Sequence, residues 1–214
     1  MAIRNEQAAF LIIDMQNGFI LPDSKLCIAG AQSTLPQCAR ALARARELDI
    51  PVYYVRREYA IDGSNVEAVR YEGWMRSGKI MSEASEYSGS LEFPEMIQPE
   101  PEDHILTKPR FSAFLKTNLD EELRASSINT VILTGTTTPN CIRVTCTDAI
   151  SLGYNVVIIE DCTSSRTPEV QAANIEDMIL LGAQIIDTAT FCETGLETTR
   201  DLESEHQVAL SQKS

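Results

Sequence analysis

Short runs of consecutive apolar residues alternate along the chain with longer stretches in which apolar residues recur every three or four positions. A short apolar run predicts a buried strand, and the longer spacing predicts a helix with one buried face. The runs predict strands at residues 8–13, 52–55, 103–107, 131–134, 156–159 and 184–186. The helical spacing predicts helices at residues 32–48, 118–125, 140–152 and 168–181.

The alternation of strands with helices indicates the fold class. Strands that are apolar on both faces, with helices between them, are typical of a parallel sheet that helices cover on both sides. We therefore predict an α/β fold with three layers (α/β/α), built on a doubly wound, mainly parallel sheet of the Rossmann-like type. No internal repeat or linker interrupts the pattern, so we expect a single domain over residues 1–214.

One long segment follows neither period. Residues 56–102 are rich in Gly, Ser and Glu, and their apolar residues show no convincing alternation. Irregular segments of this length inside a compact domain usually carry function. We expect a lid or a binding loop there.

Composition and charge narrow the classes of partner. An apolar content of 43 % supports a full hydrophobic core, and a net charge of -13 argues against nucleic acid and anionic membranes as partners. No run approaches the ~18 apolar residues of a membrane span, and the first residues lack the pattern of a signal peptide. Six cysteines without CxxC spacing and only two histidines argue against a metal site. We expect a reduced, cytoplasmic protein that acts on a small molecule without a metal or cofactor.

Cys141 lies at the junction between the strand at 131–134 and the helix at 140–152. At such a junction the helix dipole lowers the pKa of a thiol, and free backbone N–H groups attract anions. Ligands of open α/β sheets also bind in the crevice beyond the carboxyl ends of the strands. The position therefore favours a nucleophile. The alternative is a small buried cysteine that only packs.

Two further reactive side chains follow predicted strands. Asp14 comes directly after the strand at 8–13, and Lys108 directly after the strand at 103–107. Carboxyl ends of parallel strands meet at one edge of a sheet, so we expect both residues near Cys141. An aspartate can take the proton of a thiol, and a lysine can stabilise the anions that result. Taken singly, Asp14 could cap a turn and Lys108 could lie on the surface.

Four segments that span most of the chain together resemble the isochorismatase-like cysteine hydrolase family. They read LIIDMQNGF, KPRFSAF, TGTTTPNC and GYNVVIIEDC, in the order and at roughly the spacing of that family. The family includes nicotinamidases and the carbamoylsarcosine, ureidoacrylate and biuret amidohydrolases. The resemblance implies an isochorismatase-like fold and a homodimer or homotetramer.

The resemblance also implies roles for single residues. It identifies Asp14 as the base, Lys108 as the catalytic lysine and Cys141 as the nucleophile. The family has a cis peptide bond ahead of its cysteine, which corresponds here to the bond between Thr136 and Thr137. The N–H groups of Thr137 and Cys141 would then form an oxyanion hole.

Departures from the family pattern argue against some of the activities found in the family. Nicotinamidases bind a metal through an Asp-x-His motif, whereas this chain has RREYAIDGSN after VYYV, without a histidine. Some isochorismatases lack the cysteine, and its presence here favours hydrolysis of a C–N bond over cleavage of a vinyl ether. The alternatives are a vinyl-ether hydrolase and a non-catalytic interaction protein that retains the fold.

Candidate substrate-binding residues come from the same motifs and from the long segment. Relatives line their cavity with residues that correspond to Phe19, Phe111 and Phe114, and carbamoylsarcosine-type members bind a substrate carboxylate from the position of Arg166. Trp74, between Arg70 and Arg76, is a candidate lid over the site. The alternatives are ordinary packing for the aromatic residues and a surface position for Arg166. The predicted substrate is a small amide or ureido compound; Arg166 favours one that carries a carboxylate, and the alternative is a neutral amide such as biuret.

Overall fold

The protein is described here by a computed structural model, which covers residues 1–212, and its centre is a parallel β-sheet. Within those residues the sheet contains six strands, and all adjacent strands run parallel in the order β3-β2-β1-β4-β5-β6. The strands are β1 (Ala8–Ile13), β2 (Val52–Arg57), β3 (His104–Lys108), β4 (Thr130–Thr136), β5 (Asn155–Ser164) and β6 (Gln184–Ile186). The predicted α/β fold with a doubly wound parallel sheet is confirmed.

Helices connect the strands and cover both faces of the sheet. They are α1 (Asn17–Ile20), α2 (Ala31–Glu47), α3 (Ala68–Arg76), α4 (Leu119–Ala125), α5 (Arg143–Ser151), α6 (Pro168–Leu181), α7 (Thr188–Thr194) and α8 (Leu202–Ser211). Local signals explain the bounds of α6. The Thr167 side chain accepts a hydrogen bond from the Val170 N–H, and Gly182 ends the helix in the left-handed conformation.

Alternate residues of the strands supply two separate cores. In β1, Phe10 and Ile12 pack on the side of α2 and α7. Leu11 and Ile13 pack on the other side, against α4, α5 and α6. All four side chains are fully buried, which is why β1 reads as an unbroken apolar run in the sequence.

The strand order places a crevice between the carboxyl ends of β1 and β4. The chain winds from β1 towards one edge of the sheet and from β4 towards the other, and the ligands of doubly wound folds bind where this direction reverses. Gly135 makes the close approach of the two strands possible. A Cβ atom on Gly135 would lie 2.1 Å from the Ile13 carbonyl oxygen, and its φ of +111° disfavours any other residue.

The segment between β2 and β3 is more regular than the sequence indicates. It contains α3 and a 3-10 turn at Glu95–Ile97. It also has its own apolar cluster, in which Tyr59, Trp74 and Met81 are buried. Trp74 is the one buried residue of α3, so this helix has no apolar stripe that the sequence could reveal.

Further differences from the sequence predictions concern boundaries, helices that were not predicted and local form. Strands β2, β4 and β5 run on to Arg57, Thr136 and Ser164, and β3 includes Lys108. Helices α1, α7 and α8 were not predicted, and the chain around Cys141 forms one turn of π-helix, Thr138–Ile142, before α5 begins. None of the helices within residues 1–212 has the length and apolar character to cross a membrane.

Candidate active site

Asp14 and Lys108 form a buried ion pair at the carboxyl edge of the sheet. The Lys108 Nζ lies 2.8 Å from Asp14 Oδ2 and also donates a hydrogen bond to the Arg110 carbonyl oxygen at 3.1 Å. Side-chain exposure is 1 % for Asp14 and 0 % for Lys108. Buried charges need partners of opposite sign, so each residue stabilises the other. Asp14 Oδ1 has no hydrogen-bond partner within residues 1–212, and this oxygen can accept a proton.

Cys141 lies next to this ion pair. Its Sγ is 3.6 Å from Lys108 Nζ, and the residue is 6 % exposed. Burial and the nearby Asp14 carboxylate raise the pKa of the thiol, while the cations Lys108 and Arg57 act in the opposite direction. The net effect is a raised pKa, which favours the protonated thiol. A thiol of this kind needs a base to become a nucleophile.

The backbone before Cys141 supplies two candidate oxyanion donors. The peptide bond between Thr136 and Thr137 is cis, as the resemblance implies. Thr137 and Cys141 both line the cavity described below. The side chains of Thr137 and Thr138 donate hydrogen bonds to the Ser164 carbonyl oxygen, which fixes this loop to the end of β5. That the N–H groups of Thr137 and Cys141 form the oxyanion hole stays a prediction.

A second cation, Arg57, contacts the same sulfur. Its Nη2 lies 3.7 Å from Cys141 Sγ, and the residue is 3 % exposed. Burial lowers the pKa of Arg57, but the nearby charges of Asp14 and Cys141 outweigh it, and the net shift is upward. Arg57 is therefore a permanent positive charge beside the thiol.

Asp14, Arg57 and Cys141 line a cavity of about 140 Å³. Its wall combines charged residues of the sheet edge with apolar and aromatic side chains. The lining residues are Asp14, Phe19, Leu26, Ile28, Arg57, Tyr59, Arg70, Met81, Phe111, Thr136, Thr137, Asn140 and Cys141. An apolar pocket with a few convergent polar groups is the usual form of a small-molecule site.

Comparison with known proteins places the chain in a family. The family model described as the isochorismatase domain matches residues 8–190. The chain belongs to the isochorismatase family. The predicted family membership is thereby confirmed.

Individual members of the isochorismatase family resemble the chain over most of its length. A protein named probable inactive nicotinamidase, from Arabidopsis thaliana, is 37 % identical over 185 residues, with 86 % of this chain and 94 % of that protein covered. A ureidoacrylate amidohydrolase of Yersinia enterocolitica is 30 % identical over 211 residues, with 90 % of each covered. The crystal structure of an isochorismatase family protein from Desulfovibrio vulgaris has a TM-score of 0.81 at 37 % identity, with 87 % of this chain and 97 % of that chain covered.

The structure brings some of the predicted substrate-binding residues of this isochorismatase-family protein to the cavity and not others. Phe19 and Phe111 line it. Phe114 does not; its ring packs against Tyr154, with the ring centroids 5.7 Å apart, among the residues between the sheet and its helices. Phe114 therefore has the packing role that the sequence left as the alternative.

Trp74 does not line the active-site cavity but a second one, which shares Tyr59 and Arg70 with it. The residue is 6 % exposed, and its Nε1 donates a hydrogen bond to the Ile80 carbonyl oxygen at 3.1 Å. Its ring meets the ring of Tyr59 edge-on at 6.1 Å, and Tyr59 lines the cavity. Trp74 thus supports a wall residue.

Of the three predicted arginines, only Arg70 lines the active-site cavity. Arg166 is exposed and lines a different cavity, together with Ser165 and Thr167. Arg76 is exposed on α3, with its nearest carboxylate, Glu72, 3.9 Å away. Arg70 does line the active-site cavity, and its guanidinium lies 5.0 Å from the centre of the Phe111 ring.

Arg57 and Tyr59 line the cavity but were not predicted as site residues from the sequence. The rule that identified Asp14 and Lys108 applies equally to Arg57, which ends β2 and pairs in register with Lys108. The strand was predicted to end at Val55, two residues too early. Arg57 was therefore assigned to the irregular segment and not to the end of a strand. Tyr59 carries no comparable signal, because its contact with the cavity depends on the path of the following segment.

Proposed function

We propose that this protein is a cysteine-dependent hydrolase that cleaves the C–N bond of a small amide or ureido compound through a thioester intermediate. The observation that carries the proposal is the contact of Asp14, Lys108 and Cys141 at one sheet edge, with the lysine 2.8 Å from the carboxylate and 3.6 Å from the sulfur. The amidohydrolase name of the Yersinia relative supports the reaction class.

The first half of the mechanism forms the thioester. Asp14 Oδ1 accepts the proton of the Cys141 thiol, and the thiolate attacks the carbonyl carbon of the substrate. The N–H groups of Thr137 and Cys141, with the Lys108 ammonium, hold the tetrahedral oxyanion. Protonated Asp14 then gives its proton to the leaving nitrogen, the C–N bond breaks, and ammonia or an amine departs.

The second half releases the acid. Asp14, again ionised, takes a proton from a water molecule, which attacks the thioester carbonyl. The same donors hold the second oxyanion. When the C–S bond breaks, the proton on Asp14 returns to the sulfur, and the site regains its resting state. One water is consumed for each C–N bond that breaks.

The cavity limits the size and charge of the substrate. Its volume of about 140 Å³ resembles that of an engineered cavity of about 150 Å³ that binds benzene. Arg70 forms no ion pair within residues 1–212, so its guanidinium is available to a substrate carboxylate. These features support a small, acidic amide or ureido compound as the substrate.

Two alternatives predict different products. The first is a vinyl-ether hydrolase, whose reaction releases no ammonia. The second is a protein without catalytic activity, and one relative is named a probable inactive nicotinamidase. The intact contact of base, lysine and thiol favours catalysis over both passive binding and a mechanism without a nucleophile.

The experiment is a screen for ammonia release over ureido acids, biuret, maleamate and nicotinamide. We expect release from at least one of the acidic compounds, with loss of that activity in Cys141→Ser. Cys192→Ser is the matched control, because Cys192 is also a free cysteine but lies outside the cavity. Cleavage of a vinyl ether without any ammonia release would refute the proposal, and so would full activity of Cys141→Ser.

We also propose that the protein forms a homo-oligomer. Apolar side chains at the end of α6 are exposed, Ile179 at 51 % and Leu180 at 80 %. Neighbouring exposed apolar residues are typical of association surfaces. Light scattering at micromolar concentration should give a mass of two or four chains, and the mass of a single chain would contradict this.

A further inference from the structure

Arg57 is buried beside the nucleophile, and the protein holds it there on several sides. Its Nη1 donates hydrogen bonds to Tyr59 Oη at 2.9 Å and to the Pro109 carbonyl oxygen at 3.3 Å. The guanidinium carbon lies 5.5 Å from the centre of the Tyr59 ring and 5.0 Å from that of Phe111. These contacts leave Nη2 directed at Cys141 Sγ, 3.7 Å away.

We infer that Arg57 is a fourth catalytic residue, whose guanidinium forms an ion pair with the Cys141 thiolate during the reaction. This rests on the proposed function, in which the thiolate is the attacking group. Arg57 contacts the reacting sulfur on the side of β2, while Lys108 contacts it from β3. The thiolate would therefore form between two cations.

The charges around the sulfur explain why a second cation is useful. The groups that face Cys141 are Asp14 from β1, Arg57 from β2 and Lys108 from β3. At rest, Lys108 is already paired with the Asp14 carboxylate, and burial disfavours a second anion. Moving the thiol proton to Asp14 creates a buried thiolate, and an adjacent guanidinium lowers the cost of that step.

The positive charge of Arg57 is partly balanced by the Glu67 carboxylate, which lies on the segment after β2. Glu67 Oε1 lies 3.5 Å from Arg57 Nη1, and Tyr59 donates a hydrogen bond to Glu67 Oε2 at 3.1 Å. Glu67 and Tyr59 touch Arg57 and not the sulfur, so we assign them as positioning residues. The guanidinium of Arg70, which also lies on this segment, is 5.0 Å from the centre of the same Phe111 ring.

A purely structural arginine explains the arrangement less well. Buried donors normally have acceptors, yet Arg57 Nε is buried and has none within residues 1–212. A protonated thiol is a weak acceptor for Nη2. Nη2 therefore gains a strong acceptor only when the sulfur carries a negative charge.

The test measures the thiol itself and needs no substrate. The rate at which iodoacetamide alkylates Cys141 is followed against pH, with the Cys141 peptide quantified by mass spectrometry so that the other cysteines do not interfere. The variants are Arg57→Met, Arg57→Lys and Tyr59→Phe. Arg56→Gln is the matched control, because Arg56 is the next residue of β2 but pairs with Glu58, outside the cavity.

Loss of an adjacent cation raises the pKa of a thiol. We expect Arg57→Met to move the midpoint of the alkylation profile up by about 1 pH unit or more, because the cation that favours the thiolate is gone. Arg57→Lys should restore part of the shift and Tyr59→Phe should give a smaller one, while Arg56→Gln leaves the midpoint in place. An unchanged midpoint in folded Arg57→Met would overturn the inference.

Circular dichroism of each variant separates these outcomes from misfolding. If Arg57→Met does not fold, unchanged midpoints in both Arg57→Lys and Tyr59→Phe would overturn the inference. The experiment is also independent of the proposed reaction. A shifted midpoint together with no ammonia release from any compound of the screen would refute the proposed function, and it would still show that Arg57 stabilises the Cys141 thiolate.

Discussion

The carboxyl edge of the sheet and the segment between β2 and β3 line the same cavity in different ways. The sheet edge contributes Asp14, directly after β1, and Cys141, on the π-helical turn after β4. Lys108, at the end of β3, contacts both side chains without lining the cavity, and all three residues are buried. The segment contributes Tyr59 and Arg70, which rest on a small apolar cluster of their own. The positions of the reacting groups therefore depend on the backbone register of the sheet. Recognition of the substrate depends on side chains of the segment, which can vary without disturbing the sheet.

The largest effect should come from the nucleophile at the sheet edge. Cys141→Ser should lower kcat/KM for the amide substrate by about 10⁴-fold or more, because a hydroxyl in the same place is a far weaker nucleophile. The measurement is ammonia release under saturating and limiting substrate. A loss below tenfold would mean that the sheet edge does not supply the chemistry.

The buried ion pair should make the same edge important for stability. Lys108→Met leaves the Asp14 carboxylate buried without its partner, and we expect a loss of about 3–5 kcal/mol in the free energy of unfolding. Urea denaturation provides the value, and Lys25→Met, at an exposed lysine, is the control.

A double variant distinguishes the lost pair from a simple packing defect. Combining Lys108→Met with Asp14→Asn removes both charges, so part of the lost stability should return. A double variant that is less stable by the full sum of the two single losses would show that the charges are not coupled.

Substitution of one glycine in each region tests how far each backbone tolerates an added Cβ atom. Gly135→Ala places a Cβ 2.1 Å from the Ile13 carbonyl oxygen at a φ of +111°, and should destabilise the protein by about 1–3 kcal/mol or more. Gly73 lies inside α3, and a Cβ added there would meet no atom within 4 Å, so Gly73→Ala should stabilise by about 0.5–1 kcal/mol.

Thermal unfolding of both variants tests that contrast. Gly135→Ala should also lower activity, since Gly135 leads directly into the loop that holds Thr137 and Cys141. Equal effects of the two substitutions on stability would show that the sheet edge tolerates backbone change as well as the segment does.

The same contrast explains what the sequence could reveal. Asp14 and Lys108 follow apolar runs, and parallel strands end together, so their meeting with Cys141 was predictable. Arg57 also lies at the carboxyl end of a strand. Because Arg56 and Arg57 are both polar, the apolar run predicted that β2 ends before them. The boundary error was small, yet it moved one charged residue out of the predicted site.

Side chains of the long segment were harder to place from the sequence. Trp74 and Arg70 lie four residues apart on α3, yet only Arg70 lines the active-site cavity. Which of them faces the cavity depends on how the segment packs on the sheet, and no periodic pattern carries that information. Arg166 was assigned by resemblance alone, and its place after β5 puts it in a neighbouring cavity.

The smallest expected effect concerns the two arginines that could bind a substrate carboxylate. Arg70 lines the active-site cavity and Arg166 does not. Arg70→Gln should therefore raise KM for an acidic amide by about tenfold, the weaker end of what a charge-assisted hydrogen bond contributes, and leave KM for the neutral analogue nearly unchanged. Arg166→Gln is the matched comparison, and we expect it to change neither value. Steady-state kinetics on an acid and its neutral analogue would decide the matter. If Arg166→Gln raised KM selectively for the acid and Arg70→Gln did not, the carboxylate would bind on the β5 side, and the segment after β2 would have no part in recognising it.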